Sequence, residues 1–446
     1  MDKNLRRIYF ITFIVIFLVC APIIVLYSLG YRYDFPKNKL LKTGLLIIES
    51  SPRSASVYLN NKYIQKTPAR IINLTPGEYQ IRVEKDGCFS WQKTLAVFSK
   101  TTTFADNIIL FKSSGKPQEK ILGSILDYQI SFDEKKVVYL ISNQNKKEVW
   151  LYYFDTQEKN KIYETSLEND ISDFSWSKDG RKILFKQDNQ KQTRELIVDT
   201  LDPEHLILLD QISSLTFDKL TWSDSSDILY GLTKNHLFEI DLTNRRATSL
   251  GQEIINDFFL NNHQIYLISQ DYTLKQKVGE QFKTLEELDR ADYKFLESSP
   301  QYLVLQNQFT KKIKLVPINA NLSPPVFEME INNLKWSNDG KKLVVWNDFE
   351  IWMHDFEKQE QYLINRYSEQ VEKASWYENL DYLVYGLTDS INIIELDQRD
   401  RRNSYQLIKT SGKIELINYL PIVNQVYFII QKDENLKDGL YSLSIK

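Results

Sequence analysis

The cassette Trp-Ser-x-Asp-Gly constrains what this chain can fold into more than any other feature. Trp176-Ser177-Lys178-Asp179-Gly180 returns 160 residues on as Trp336-Ser337-Asn338-Asp339-Gly340. Degraded copies start at Trp222-Ser223-Asp224 and at Trp376-Tyr377-Glu378, the latter 40 residues after Trp336. A fixed period of about 40 residues carrying short β-type runs is the mark of a β-propeller.

One repeat shows why. Asp173-Phe174-Ser175-Trp176 leads into Asp179-Gly180, and Lys182-Ile183-Leu184-Phe185 follows. Asp-Gly between apolar runs favours a tight hairpin, because glycine accepts positive φ without steric cost. A polar stretch and a third strand, Glu195-Leu196-Ile197-Val198-Asp199, complete the pattern. The same third strand recurs ending at Asp155, Asp241, Asp355 and Asp397. By this pattern repeats begin near Asp127, Asp173, Lys219, Asn256, Phe295, Asn332, Lys373 and Ile417, the copies near 256 and 295 lacking both Trp and Asp-Gly. Eight blades is the expectation, with seven as the alternative. The last β-type run, Gly439 to Ile445, matches a third strand, so Lys120-Ile121-Leu122-Gly123-Ser124 is expected to supply the missing outer strand and close the ring. Each small sheet cannot bury both faces alone, and stacking around an axis solves that.

These repeats resemble the bacterial TolB-like (WD40-like) propellers, whose signature is Trp-Ser-Pro-Asp-Gly. Here Lys178 and Asn338 stand at the Pro position, and the resemblance covers roughly residues 118–446. It speaks to fold; function is read from sites.

At the N-terminus, Lys3, Arg6 and Arg7 precede Ile8–Leu29, a run without charge. As a helix rising ~1.5 Å per residue it spans a ~30 Å hydrocarbon core, and Pro22 inside it is tolerated in membrane helices. A cleaved signal peptide is the competing reading, but the run is too long for a signal core and no small-x-small site follows. Val19 before Cys20 argues against a lipoprotein site. The expectation is a single-pass cell-membrane protein with residues 1–7 as a cytoplasmic tail, 8–29 as the span and the bulk extracytoplasmic. The N-terminal cations favour that orientation, although Arg32, Lys37, Lys39 and Lys42 weaken the asymmetry. Residues 30–42 read as a juxtamembrane segment, with Tyr27, Tyr31 and Tyr33 as interfacial anchors.

Residues 43–112 read as a small β domain, joined by a linker at 113–117 to the propeller at 118–446. Gly44–Ser50 is a strand, Ser51-Pro52-Arg53-Ser54-Ala55 a turn, and Ser56–Leu59 a strand ended by Asn60-Asn61. Thr67-Pro68, Leu74 with Pro76-Gly77-Glu78-Tyr79, the strand Gln80–Lys85 and the Asp86-Gly87 turn follow. This order closely resembles the PEGA domain, a small β-sandwich of surface proteins, although Pro52-Arg53-Ser54-Ala55 replaces the naming Pro-Glu-Gly-Ala. The resemblance implies a surface or envelope binding module without catalysis. The fold class expected is therefore all-β apart from one transmembrane helix, a PEGA-like β-sandwich followed by the propeller.

Chemistry finds little purchase. Net charge is −3 with no basic cluster, so nucleic acid is not an expected partner. The four histidines, His205, His236, His263 and His354, have no zinc spacing, and Cys20 and Cys88 are too separated to pair. No Gly-x-Ser-x-Gly elbow or phosphate loop occurs. No catalytic, cofactor-binding or metal residue is therefore assigned. The acids Asp179 and Asp339 and the strand-terminal acids are read as turn formers. Trp176, Trp222, Trp336 and Trp376 are read as inter-blade packing, whereas Trp150, Trp346 and Trp352 break register and are candidates for exposure. Leu285-Glu286-Glu287-Leu288 reads as a short helical turn or a loop insertion. The expected function is a non-catalytic, membrane-anchored envelope protein that binds a protein or cell-wall polymer. The alternative is a hydrolase of surface glycan or peptide, whose mark would be acids on the innermost strands, out of repeat register.

Overall fold

In a computed structural model of the chain, the residues described are 3–34, 39–189, 192–319, 322–378 and 380–446. Met1, Asp2 and Lys37, counted above for the tail and for charge asymmetry, lie outside them. The chain divides into two units: residues up to Gly115 with Ile394–Leu407 and Ile445–Lys446, and Lys116–Ile393 with Ile408–Ser444.

In the first unit, helix Lys3–Ser28 contains Pro22 and the apolar run up to its last residue, Leu29, which lies just past the helix. The most apolar 18 residues of its Arg6–Ser28 stretch have a mean hydropathy of 2.9 and none of them is buried, so the stretch is long and apolar enough to cross a membrane. The juxtamembrane segment carries a hairpin, Tyr31–Asp34 against Lys39–Lys42, and Arg32 lies 3.5 Å over the Tyr27 ring. Alternating strands then build a sandwich. Ala69–Leu74, Gly44–Ser51 and Thr102–Ile109 form one sheet; Lys62–Lys66, Ser56–Leu59, Gly77–Glu84 and Trp91–Val97 form the other. Leu46, Ile48, Val57, Ile81, Val83, Trp91 and Leu95 are the inward set of that alternation and share one core. Asn60 and Asn61, both at positive φ, make the turn between Leu59 and its partner Lys62. Thr67 is buried because it has work for its hydroxyl: Oγ1 accepts from the Ala55 N–H at 3.0 Å and bonds Ser50 Oγ at 2.7 Å. The Ser51–Ala55 turn is thereby tied to Thr67-Pro68.

The same unit takes in the segment 394–407, which lines up beside strand Trp91–Val97. The Trp91 indole N–H donates to Glu395 Oε1 at 3.0 Å, and the Asn403 amide donates to Glu395 Oε2 at 2.8 Å. Lys93, fully buried, donates to the Asp397 carbonyl at 2.7 Å with the Glu395 and Asp397 carboxylates each 3.4 Å away. A buried ammonium persists only when paired and hydrogen-bonded, and here it is both.

From Gln118 to Ser444 the described strands form eight sheets along the chain, seven of four strands and one of three. Their first strands are Ile125–Ile130, Asp170–Trp176, Lys219–Trp222, Ile255–Asn261, Tyr293–Leu296, Asn333–Trp336, Val371–Trp376 and Lys413–Leu420. At five of the junctions the first strands of consecutive sheets pack against one another, as the inner strands of a propeller do. Gln118–Leu122 pairs antiparallel with Gly439–Ser444 as the outer strand of the last sheet, so the two ends of the unit meet as the repeats imply.

Two expectations are corrected. Leu285 to Glu287 belong to the strand Gln281–Glu287, neither a helical turn nor a loop, because pairing with Thr273–Val278 satisfies their backbone. Trp346 is buried, being an inward residue of the strand Lys342–Trp346. Trp150 and Trp352 are half-buried, each indole N–H donating to the glutamate two residues before it, at 3.1 Å to Glu148 and 2.8 Å to Glu350.

Candidate ligand site on the inner strands of the propeller

The repeating cassette is a self-satisfied turn. Ser177 Oγ donates to Asp179 Oδ1 at 2.6 Å and accepts from the Lys182 N–H at 2.8 Å, while Asp179 Oδ1 also accepts from the Arg181 N–H. Ser337 and Asp339 repeat this bond for bond. Gly180 and Gly340 sit at φ 66° and 68°, a conformation that favours glycine. Each tryptophan N–H reaches a carbonyl of the sheet before it: Trp176 to Gln129, Trp222 to Ser175, Trp336 to Glu297 and Trp376 to Lys335, at 2.9–3.2 Å. The strand-terminal acids cap turns too, Asp199 accepting from the Leu201 N–H and Asp355 from the Glu357 N–H. Cassette and acids are structural.

The same turn exists in the first sheet as Ser131-Phe132-Asp133-Glu134. Ser131 Oγ donates to Asp133 Oδ1 at 2.6 Å and accepts from the Lys136 N–H. Here the glycine position holds Glu134, at φ 54°. Nineteen other described non-glycine residues are also held left-handed, so what sets Glu134 apart is its bonding rather than its φ.

Glu134 enters a group of residues drawn from several strands. The Asn418 amide donates to Glu134 Oε1 at 2.8 Å, and Ser375 Oγ bonds Asn418 Oδ1. Tyr128 OH donates to Glu415 Oε1 at 2.8 Å. A register slip between Leu416 and Asn418 sets Glu415 and Asn418 opposite Ile429 and Tyr427, two places apart, so both side chains leave the strand on one side. Lys373 and Ser375, opposite Gly386 and Val384, likewise share a side. Lys335 faces Glu297 at 3.3 Å.

Electrostatics tie these into one cluster. Burial pushes the Glu134 carboxyl up, with Lys335, the Asn418 bond and Lys373 pulling back. Burial and then the like charge of Lys335 push Lys373 down to about 8, against Glu415 and Glu134. Lys373 keeps some accessible surface although it is closely surrounded. Burial and then Glu415 raise the Tyr128 phenol. Asp127 is raised by burial, and Asp173 and Glu415 add to it. Perturbed groups gathered by several elements are the mark of a functional site.

Sequence reading did not single out Glu134, Glu415 or Asn418, and met Lys373 only as a repeat boundary. The signal was there in register: the residue before each cassette Trp varies as Ser175, Thr221, Lys335 and Ser375, and the residue three before it as Asp173, Lys219, Asn333 and Lys373. His205, His236, His263 and His354 remain scattered, and none joins this cluster.

Comparison with known proteins agrees with the two halves of the chain separately. Residues 43–108 match the PEGA domain family. This chain carries a PEGA domain. Beyond the PEGA domain, the C-terminal WD40 domain of Sif2 is similar in structure at a TM-score of 0.51 and 12% identity, over 73% of this chain and 98% of that one. Sqt1 of Saccharomyces cerevisiae gives 0.49 at 11% identity, over 74% and 98%. A eukaryotic initiation factor gives 0.49 at 12% identity, over 83% and 97%. At 12% identity the likeness to the Sif2 domain is one of fold alone. No curated protein matches the chain in sequence.

Proposed function

We propose that this is a single-pass envelope protein, anchored by Arg6–Ser28 with its N-terminus cytoplasmic, that binds a protein or cell-wall polymer outside the membrane without transforming it. The observation that carries the reading is the cluster of Glu134, Lys373, Glu415 and Asn418, in which Glu134 stands where the intact cassettes have glycine. A PEGA domain and a propeller are both binding architectures, and a channel lined by unlike charges is a place to hold a ligand. Protease shaving of intact cells is expected to remove the propeller; its protection would reverse the orientation. Crosslinking in native membranes is expected to capture a protein or wall polymer. Capturing neither, while measuring turnover of envelope glycan or peptide, would sink the binding role.

One observation favours the second reading, a hydrolase. Glu134 and Glu415 are carboxylates of one cluster, and Glu134 is pushed up by burial, as a general acid must be. Product formation abolished by Glu134→Gln would establish it.

A further inference from the structure

Two partners are missing from the cluster, and they are of opposite kinds. Among the described residues Lys373 Nζ has no direct hydrogen-bond or ion-pair partner; Lys335, Glu415 and Glu134 act on it only through the field. Glu134 uses one oxygen for Asn418, and Glu415 one for Tyr128, which leaves each carboxylate with unfilled acceptor capacity. All three groups keep some accessible surface, so they are open to a ligand that offers the matching acceptor and donors.

Charge decides what that something is. An anion approaching Lys373 also meets Glu134 and Glu415, with Glu297 beyond Lys335. A cation approaching the carboxylates meets Lys373 and Lys335. The ligand group must be neutral and must both accept from an ammonium and donate to a carboxylate; a hydroxyl does both at one atom, where an amide needs its two ends. Several must be presented side by side, since the donor and the acceptors come from two consecutive inner strands and a turn.

We propose that the site takes a neutral, hydroxyl-rich glycan, Lys373 donating to one sugar hydroxyl while Glu134 and Glu415 accept from its neighbours. The inference rests on the binding role above and names its ligand class. It also accounts for Glu134, since glycine would make the turn with less strain but leave no acceptor over the site.

The test uses the full chain in detergent and isothermal titration with three probes: a glucose hexasaccharide, an N-acetylglucosamine hexasaccharide and a galacturonic acid hexamer. At least one neutral hexasaccharide is expected to bind, better than the charged hexamer, and Lys373→Met and Glu134→Gly are expected each to weaken it tenfold or more. Glu134→Gly restores the residue of the intact cassettes, so it separates lost binding from lost folding, with thermal melting as the check. Tighter binding of the galacturonic hexamer, neutral binding indifferent to both variants, or no hexasaccharide binding at millimolar concentration would each overturn the glycan. A crosslinked protein partner lost with Glu134→Gly would also overturn the glycan while leaving the binding role standing. Cleavage of a neutral hexasaccharide would keep the ligand class and remove the non-catalytic role.

Discussion

Glu134 shows how one side chain separates a structural turn from a functional one. Its neighbours Ser131 and Asp133 make the bonds that Ser177 and Asp179 make, yet the glycine is gone. A left-handed non-glycine residue costs about 1–2 kcal/mol, so Glu134→Gly is expected to leave stability unchanged or raise it by up to about 1 kcal/mol, read by thermal or urea unfolding. Marked destabilisation would mean that the carboxylate holds the fold. His354 makes the opposite kind of prediction. It is buried edge-on against Phe356 at 4.5 Å, and neither ring nitrogen has a partner among the described residues. Burial holds its pKa below the ordinary value, opposed by Asp355. Unfolded, the ring takes up a proton as pH falls below about 6.5, whereas folded it resists until lower pH. Stability is therefore full above that point and declines as pH drops toward the folded pKa. His354→Phe is expected to remove this step from the pH profile of the urea midpoint; an unaltered profile would refute it. At this scale the cassette's Ser, Asp and Gly were legible in the sequence because their chemistry is local. Glu134 was not, because Ser-x-Asp-Glu without its Trp looks like an ordinary surface turn until Asn418, far along the chain, is seen to bond it.

Strands were legible where alternation is clean, as in Ser56–Leu59, and misread where a local propensity competes. Leu285-Glu286-Glu287-Leu288 has helix-forming residues, but its backbone is taken by the ladder to Thr273–Val278, and a ladder outweighs a propensity of a few tenths of a kcal/mol per residue. The hairpin Tyr31–Asp34 with Lys39–Lys42 went unread because it is short and Lys-rich. The clearest element-scale surprise is strand Trp91–Val97. Its alternation announces a buried face, and Trp91 and Leu95 keep it, yet Lys93 lies on that same face and is fully buried. Nothing near it in sequence explains this; its partners Glu395 and Asp397 belong to the distant segment 394–407. Lys93→Met would leave those carboxylates without their ammonium, although Trp91, Asn403 and Arg399 still serve them. Removing one partner of a buried pair costs about 3–5 kcal/mol, and that loss is expected in urea unfolding of the PEGA-containing unit, followed by the Trp91 environment. A loss under 1 kcal/mol would show the cluster to be dispensable.

Whole-molecule architecture was the most legible scale, since a period repeated along hundreds of residues survives decay of single copies: the sheets at Ile255–Asn261 and Tyr293–Leu296 form although their cassettes are gone. What a period does not encode is how the ends meet, and here that depends on one close approach. Gln118–Leu122 lies along Gly439–Ser444 with Leu122 opposite Gly439, and the Gly123 N–H bonds the Asp438 carbonyl at 2.9 Å. A Cβ at Gly439 would stand 2.1 Å from the Ile121 carbonyl oxygen, which is backbone and cannot swing away. Gly439→Ala must push the two strands apart or break their ladder. The expected cost is about 1–3 kcal/mol, but its distribution matters more than its size. In a ring of sheets each held by its neighbours, the sheet shared by both chain ends is where opening begins. Hydrogen exchange is therefore expected to accelerate first at the amides of Gln118–Leu122 and Gly439–Ser444, and only later in sheets such as that of Asp170–Trp176. Gly77→Ala, where a Cβ meets nothing within 4 Å, serves as the control and is expected to leave exchange in the propeller unchanged. Uniform acceleration across all sheets in Gly439→Ala would mean that the propeller opens as one cooperative unit and that the junction of its ends holds no special place in its stability.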